Sequence, residues 1–322
     1  RIRLADCALH SPAQQRASSF PYTAAYVDDE PLAEVFDLAT NEPTWIPAAL
    51  VALSDEHGAL ATSSGLAASP SVVTALLRGL QEVVERDAFM ATWLHQLGGR
   101  EVSTPSLGAE LAPFGAAVQA FDLTPAFSPH PVALVAASIP HRGAPRPSIG
   151  LACRATWDDA VEKAFLECCQ GTVFVGHTLT TRPALRTLAP ADVVGFDEHA
   201  VYYGANPDRW DEVPLRRFAV PARPPSPSAA SGSTNGDQLV ELVAALQAAG
   251  AWPCYRELTT VDAAQLRVRV VRVVVPELTP LHHDHRWPFL GGRTADVTWR
   301  YPDAPDRTGD RRFPSPHPHA LG

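Results

Sequence analysis

The first residues whose spacing suggests chemistry are acidic and basic side chains on one face of a predicted helix. The apolar pattern after Pro70 predicts a helix over residues 71–97. At about 100° per residue, five polar positions fall on one arc of this helix, opposite an apolar stripe; they are Thr74, Arg78, Glu82, Glu85 and Arg86. Carboxylates bind Mg²⁺ through oxygen and guanidinium groups bind phosphate through paired donors, so this face suits the handling of ATP. A solvated face with an ion pair between Glu82 and Arg86 is the alternative.

A second helix and one strand carry further polar side chains of the same kinds. The helix is predicted over residues 157–178, and Lys163, Glu167 and Gln170 share one of its faces at spacings of four and three residues. They form either a second part of the same site or a solvated stripe. Arg272 stands in a run of β-branched residues, where its charge must be paired or must face a ligand. Both options remain open for Arg272 at this point.

The histidines do not have the spacing of a typical metal site. His282, His283 and His285 surround Asp284, and two more histidines follow near the end of the chain. Adjacent ligands on one loop rarely complete a zinc site, which favours separated pairs of ligands. We therefore expect ordinary loop histidines here, with a metal site as the alternative.

Composition limits the classes of function. The chain has 322 residues, 46% of them hydrophobic and 19% charged, which is sufficient for one large domain or two modest ones. A net charge of -9 argues against nonspecific binding of nucleic acid. No apolar run approaches the roughly 18 residues that span a bilayer, so no membrane partner is expected. The cysteines are odd in number and lack metal spacing, which predicts a reduced, cytoplasmic protein; they are Cys7, Cys153, Cys168, Cys169 and Cys254.

The order of elements along the chain favours an α+β fold. Met90 is the only methionine, so the chain does not begin with an initiator Met, and we expect it to be a truncated or processed piece. Further predicted elements are strands at 45–53 and 266–275, two strands within 130–156, and a helix at 239–249. Residues 220–237 are rich in Pro, Ser and Gly and predict a flexible insertion, poorly ordered over 222–236. Helices and strands alternate without regular βαβ spacing.

Several short motifs, in this order, resemble the YcaO family. They are residues 62–68 (TSSGLAA), 82–88 (EVVERDA) with Trp93, 167–170 (ECCQ), 197–203 (DEHAVYY), and 271–278 (VRVVVPEL) with 290–293 (LGGR). The tail at 314–318 (PSPHP) is similar to the proline-rich C-terminus of the azoline-forming branch of that family. Each motif is short, but five of them in family order over about residues 45–320 make the resemblance specific.

The resemblance implies a site, a chemistry and a domain arrangement. Positions matching Mg²⁺ ligands of the family are Glu82, Glu85 and Glu167, and positions matching its ATP-binding residues are Arg86, Gln170 and Arg272; no catalytic residue is implied. In the azoline-forming branch, a Cys, Ser or Thr side chain of a peptide attacks the preceding amide carbon, and ATP phosphorylates the amide oxygen so that it can leave. The implied fold is α+β, with mixed and antiparallel sheets packed against helices. Residues 46–320 would form the family domain, after an incomplete N-terminal segment at 1–45.

The chain also departs from the family pattern. Thr74 stands where the family has a metal-binding Glu, Ser69-Pro70-Ser71 replaces a Gly-Asn-Thr turn, and Ser64 replaces an Asn. A Gly-Lys-Gly loop and a second acidic helix would precede residue 1. A hydroxyl does not replace the charge of a lost Mg²⁺ carboxylate. We also expect Arg78 to occupy the space of the lost metal and to pair with Glu82, so binding of ATP and Mg²⁺ by this chain alone should be weak or lost.

Two classes of function follow from the resemblance. The first is a cyclodehydratase of ribosomal peptide modification that needs a missing half or a partner, and the second is a non-catalytic scaffold that binds peptide or partner. Formation of thioamides or amidines by the same activation is a third option. The implied partners are a precursor peptide and a leader-binding protein or domain, with a homodimer as an open option. We expect all six site residues to converge on one cleft, with Arg272 within about 15 Å of Glu82.

Overall fold

Two antiparallel sheets and several helices form the protein, which confirms the predicted α+β class. The computed structural model describes residues 2–26, 31–53, 60, 62–141, 144–218, 220, 232–305 and 312–322. The strands are β1 (Leu32–Asp37), β2 (Pro43–Pro47), β3 (Leu66–Ser69), β4 (Arg100–Val102), β5 (Ala117–Asp122), β6 (Val132–His141), β7 (Ala144–Cys153), β8 (Cys254–Glu257) and β9 (Arg269–Val274). One sheet has the order β2-β1-β8-β9-β3, and the other has the order β4-β5-β6-β7. Every pairing between these strands is antiparallel.

The helices differ in length and in position relative to the sheets. They are α1 (Pro12–Gln15), α2 (Val72–Leu94), α3 (Pro105–Leu111), α4 (Trp157–Thr181), α5 (Phe196–Ala205), α6 (Pro214–Arg217), α7 (Asn235–Ala248) and α8 (Val261–Gln265). Helix α2 contacts β3 and β9 of the first sheet and β6 and β7 of the second. Helix α4 packs on β6 and β7. Among the described residues, no helix combines the length and the apolar character needed to cross a membrane.

Local interactions fix both ends of α2. The Ser71 side chain accepts a hydrogen bond from the backbone N–H of Thr74, which caps the first turn. At the other end Gln96 adopts a φ of 52°, in the left-handed region. The N–H of Leu97 then bonds to the Thr92 carbonyl and the N–H of Gln96 to that of Trp93, the pattern of a Schellman motif. The helix therefore ends at Leu94 rather than at the predicted residue 97.

Two glycines allow the helices to approach the sheets closely. A Cβ atom at Gly79 of α2 would lie 2.8 Å from the Gly65 carbonyl oxygen and 2.9 Å from the Val273 side chain. A Cβ atom at Gly150 of β7 would lie 2.0 Å from the Ala164 carbonyl oxygen of α4. Contacts this short are not tolerated, so only glycine permits the observed packing. The polar faces of α2 and α4 are held near the sheets as a result.

Several predicted boundaries need correction. The strand predicted at 45–53 is confined to β2, because Pro47 leads into a 3₁₀ turn at Ala48–Leu50. Helix α4 continues to Thr181, and β9 begins at Arg269, because Leu266 caps α8 and Arg267 adopts a left-handed φ of 57°. The end of the predicted insertion is helical, since Thr234 and Asp237 form a capping box that starts α7 at Asn235. Residues 221–231 of that insertion lie outside the described residues.

The N-terminal part of the chain packs against later segments. Strand β1 pairs with β8, so residues before position 46 share a sheet with residues after position 250. The Ala8 N–H donates to the Pro276 carbonyl at 2.8 Å, and the Gly291 N–H donates to the Leu9 carbonyl at 2.6 Å. A domain boundary near residue 45 remains a prediction.

Candidate functional site

Glu85 is a buried carboxylate in the interior of α2. Its Oε2 atom accepts a hydrogen bond of 3.1 Å from the backbone N–H of Cys153, at the end of β7. Burial raises the pKa of Glu85 to about 7, against the lowering effect of Arg86, and the nearby carboxylates of Glu167 and Glu82 raise it further. A cation bound nearby would stabilise the charged form of Glu85, because it would offset the repulsion from Glu82 and Glu167.

Glu82 lies one turn before Arg86 on the same helix. Its Oε1 atom is 3.7 Å from Arg86 Nη2, so the ion pair predicted from the spacing is present. Burial raises the pKa of Glu82, and Glu167 raises it further, while Arg86, a backbone hydrogen bond with Gly65 and Arg272 oppose the shift. Glu82 therefore interacts with residues of α2, α4 and β9.

Glu167 brings α4 into the same cluster. Its Oε2 atom accepts a hydrogen bond of 3.2 Å from Lys163 Nζ, and its side chain is about one quarter exposed, at 26%. Its effect on the pKa values of Glu82 and Glu85 identifies it as their neighbour. These three glutamates are called the acidic trio below.

Arg86 has donor atoms available for an anion. Its Nε atom is 3.6 Å from Glu85 Oε1, beyond hydrogen-bond distance. Nε and Nη1 are buried and have no hydrogen-bond partner within the described structure. Buried donors are normally bonded, so unbonded guanidinium donors beside a cleft are suited to a phosphate oxygen.

Arg272 of β9 lines the same cleft as Arg86. Thr62, Ser64 and Val83 also line this cleft. The Arg272 side chain is buried, and its Nη1 and Nε atoms donate to the carbonyl oxygens of Thr62 at 2.6 Å and Leu50 at 3.3 Å. Burial lowers the pKa of Arg272 to about 10, and Glu82 opposes the shift. Its direct partners are thus backbone carbonyls, which neither of the two sequence interpretations anticipated.

Gln170 differs from the other predicted site residues. It lies on α4 one turn beyond Glu167, and its side chain is exposed. The structure thus brings Glu82, Glu85, Arg86 and Glu167 together with Arg272 near them. A role for Gln170 in binding ATP stays a prediction.

Arg78 and Thr74 do not behave as expected from the sequence. Arg78 Nη1 donates to Gln81 Oε1 at 2.7 Å, while Glu82 pairs with Arg86, so the predicted pairing of Arg78 with Glu82 is wrong. The Thr74 hydroxyl accepts a hydrogen bond of 2.9 Å from Asn235 Nδ2 at the start of α7. Thr74 therefore contributes to helix packing.

Arg154 is a cationic residue near the trio that the sequence did not single out. It follows β7 directly, donates from Nη1 to the Cys153 carbonyl at 2.7 Å and lowers the pKa of Glu85. With Arg78 and Lys163 it lines a second cleft. The only sign of Arg154 in the sequence was its position, as a single charged residue at the end of a predicted buried strand.

Two of the histidines expected as ordinary loop residues are buried. His282 is buried, and His319 of the tail is fully buried beside it. In the part of the chain that the structure describes, one group of three potential metal ligands has donor atoms within 4.8 Å of one another; it consists of His199, His282 and His319. These three histidines are far apart in the sequence, so their spacing did not indicate that they would lie together.

The fold is α+β, and it brings three glutamates, one of them buried, close to unbonded arginine donors, which defines a candidate site for Mg²⁺ and phosphate. The sequence model of the family described as YcaO cyclodehydratase, ATP- and Mg²⁺-binding, matches residues 1–279. The chain therefore belongs to the YcaO family, and the predicted family is confirmed. Comparison with curated protein sequences gave no match.

Solved structures support the same fold. A heterocyclase in complex with substrate and cofactor is 18% identical with a TM-score of 0.66, over 97% of this chain and 43% of that chain. The heterocyclase TruD is 18% identical with a TM-score of 0.64, over 93% of this chain and 43% of its own. YcaO from Methanopyrus kandleri, bound with AMPPCP and Mg²⁺, is 21% identical with a TM-score of 0.55, over 88% and 71%. The chain thus spans less than half the length of the two heterocyclases, and these likenesses show the fold.

Proposed function

We propose that this chain is part of an enzyme that uses ATP and Mg²⁺ to activate peptide amides and form azolines in a ribosomally made peptide. The observation that carries the proposal is Glu85, whose pKa is raised to about 7 by burial and by two neighbouring carboxylates, beside unbonded donors of Arg86. The match to the YcaO family favours this function over a non-catalytic scaffold.

The acidic trio fits Mg²⁺ by the chemistry of its donors. Mg²⁺ binds carboxylate oxygens, and a divalent cation removes the repulsion among Glu82, Glu85 and Glu167. When bound, the ion would neutralise charge on the phosphates of ATP. Mg²⁺ usually keeps several waters and binds one or two carboxylates together with phosphate oxygens. The side chains of the trio would therefore share the ion with waters and with phosphate oxygens.

The arginines have different roles at this site. Arg86 offers Nε and Nη1 to a phosphate oxygen. Arg272 keeps the wall of the cleft in place through the carbonyls of Leu50 and Thr62 and adds positive charge near Glu82. The attacking Cys, Ser or Thr side chain and the amide that it attacks belong to the peptide, and phosphorylation of the amide oxygen makes it a leaving group.

The activity should require further protein. The chain covers 43% of each of the two heterocyclases, and Thr74 does not supply a carboxylate. One structural neighbour, 16% identical with a TM-score of 0.59, is the E. coli microcin synthetase McbBCD complex with pro-MccB17 bound. By analogy, the partners proposed here are a precursor peptide and a protein or domain that binds its leader, in the cytoplasm; a homodimer is a further option.

Binding of Mn²⁺, a spectroscopic substitute for Mg²⁺, tests the proposal. Free Mn²⁺ would be followed by electron paramagnetic resonance in the presence of AMPPCP, for the wild type and for Glu85→Gln, Arg86→Lys and the exposed control Glu110→Gln. Glu85→Gln should weaken Mn²⁺ binding at least about tenfold and Arg86→Lys should weaken AMPPCP binding, because a lysine offers no paired donors. Glu110→Gln should have no effect. Equal binding by all four proteins would disprove the site.

A further inference from the structure

Three buried histidines from distant parts of the chain lie close together. His199 lies on α5, His282 follows β9, and His319 belongs to the C-terminal tail at 312–322. Their exposed fractions are 0%, 3% and 0%. Burying three imidazoles together requires partners for their ring nitrogens.

Backbone carbonyls hold one nitrogen of two of these rings. His199 Nδ1 is 2.9 Å from the His319 carbonyl oxygen, and His319 Nε2 is 2.8 Å from the His282 carbonyl oxygen. A carbonyl oxygen only accepts, so each of these nitrogens carries the proton. The opposite nitrogens, His199 Nε2 and His319 Nδ1, therefore present lone pairs.

The remaining nitrogens have no such partners. His199 Nε2, His319 Nδ1 and His282 Nδ1 are buried and lack a hydrogen-bond partner among the residues that the structure describes. A metal-binding histidine usually has its second nitrogen oriented by a carbonyl or carboxylate, the arrangement found for His199 and His319. Backbone carbonyls thus orient two of the three rings, and a backbone contact with His283 also acts on the His199 ring.

The ring nitrogens are close enough to share a single ion once the stacked rings of His199 and His319 rotate apart. One ligand atom from each ring lies within 4.8 Å of the others. The rings of His199 and His319 stack with centroids 3.6 Å apart, and His282 meets His319 edge to face at 4.8 Å. Zn–N bonds of about 2.0–2.1 Å need nitrogens about 3.3 Å apart, so ring rotations that open the stack would bring the three donors onto the ion.

The charge state of the cluster also suits a metal. Burial holds the pKa values of His199, His282 and His319 well below their usual range, and the neighbouring histidines lower them further. The neutral form of imidazole is the one that ligates a metal. Neutral imidazoles favour Zn²⁺ and related transition metals, whereas Mg²⁺ prefers oxygen.

We propose that His199, His282 and His319 bind one Zn²⁺-class transition metal ion, at a site separate from the acidic trio. The ion would fasten the tail to α5 and to the segment after β9. His319 packs edge-on against Phe89 of α2 with ring centroids 6.1 Å apart, and its pKa responds to the charge of Arg86. The metal would thus fix the tail next to the residues that we assign to ATP and Mg²⁺, while its own binding does not depend on that assignment.

Metal uptake by the full chain tests this site. Protein freed of metal with a chelator would be titrated with Co²⁺, a coloured substitute for Zn²⁺, and the visible absorption followed. We expect one equivalent to bind, with binding weakened at least about a hundredfold in His199→Gln and in His319→Gln, because each variant removes one of three ligands. His177→Gln is the matched control, since His177 is exposed on α4, and it should bind like the wild type. Excess Mg²⁺ should not displace Co²⁺.

Two measurements do not depend on the folding of variants. X-ray absorption of the wild-type zinc form should show imidazole ligands and no sulfur ligand. Hydrogen exchange of residues 312–322 should slow when Zn²⁺ is added. Absence of stoichiometric Co²⁺ uptake, sulfur ligation, or unchanged affinity in both folded variants would overturn the proposal. Loss of Mn²⁺ and AMPPCP binding would instead bear on the ATP site alone.

Discussion

Asp87 and Arg300 form an ion pair in which both side chains are fully buried. Arg300 Nη2 donates to Asp87 Oδ1 at 2.6 Å and Nε donates to Oδ2 at 2.8 Å, while Asp87 also accepts from the Thr279 N–H at 2.7 Å. Asp87 follows Arg86 directly in the EVVERDA segment. One short motif therefore contains a residue of the candidate ATP site and a residue that ties the segment at 279–300 to α2.

Removing one partner of this pair should be costly. Asp87→Ala leaves the Arg300 charge buried without its carboxylate, and we expect the free energy of unfolding to fall by about 3–5 kcal/mol. Urea denaturation followed by circular dichroism measures this change. The control is Asp211→Ala, which breaks an exposed pair with Arg216 and should cost less than about 1 kcal/mol. Similar losses in both variants would show that the Asp87 pair does not stabilise the fold.

Glu85 should make stability depend on pH. Its pKa in the folded protein is about 7, raised mainly by burial from an ordinary value of 4.5. Between these values the folded state holds a proton that the unfolded state has lost, so the contribution of Glu85 to stability falls as pH rises from about 4.5 to 7. Below this pH range, Glu85 contributes more to the free energy of unfolding than it does at neutral pH.

The variant Glu85→Gln isolates this effect. It cannot ionise, so its free energy of unfolding relative to the wild type should rise across the same window, by on the order of 1–3 kcal/mol. Denaturant titrations at several pH values measure the difference. The exposed variant Glu110→Gln should run parallel to the wild type, and a parallel curve for Glu85→Gln would contradict the raised pKa.

The close approach of α2 to β9 should depend on Gly79. In Gly79→Ala the new Cβ atom would meet the Gly65 carbonyl and the Val273 side chain at under 3.0 Å. We expect a loss of about 1–3 kcal/mol in the free energy of unfolding, because α2 has to move away from the sheet. Gly108→Ala on α3 is the matched control, because its Cβ atom meets nothing within 4 Å, and it should be neutral or slightly stabilising. A neutral Gly79→Ala would mean that α2 has room to move.

The chain alone should bind ATP·Mg²⁺ weakly. The acidic trio is present, but Thr74 supplies a hydroxyl that is already bonded to Asn235, and a hydroxyl does not replace the charge of a carboxylate. Isothermal titration calorimetry should therefore show a Kd weaker than the low micromolar range, which corresponds to about -8 kcal/mol. A Kd in the low micromolar range would show that ATP·Mg²⁺ binding by this chain is not weakened.

The substitution Thr74→Glu, made together with Pro70→Asn, tests the metal part of this weakening. Once the upstream half or partner is supplied, the double variant should bind ATP·Mg²⁺ at least about tenfold more tightly than the unaltered chain under the same conditions. Thr74→Gln with Pro70→Asn is the control, because it has similar size without the charge. Equal affinities of the two double variants would show that charge at position 74 is not what limits binding.

Periodicity and motif order were sufficient for the parts of the site that are local. The polar faces of α2 and α4 repeat every three to four residues, so the grouping of Glu82 with Arg86 and of Lys163 with Glu167 followed from the sequence. The family and the α+β class followed from the order of motifs and elements. The C-terminal end of α2 was harder to predict from the sequence. The residue that adopts the left-handed conformation there is Gln96, whereas glycine is the usual signal for a helix end.

Tertiary structure decided which distant groups meet and what each charge contacts. Arg272 bonds to carbonyls of Leu50 and Thr62, more than 200 positions earlier in the chain, and backbone groups leave no pattern in a sequence. The histidine cluster joins His199 to His319 across 120 positions, through the docking of the proline-rich tail. The sequence determined the donor groups and the local spacing of the site. Burial and long-range packing, which depend on the whole chain, decided their protonation and their partners.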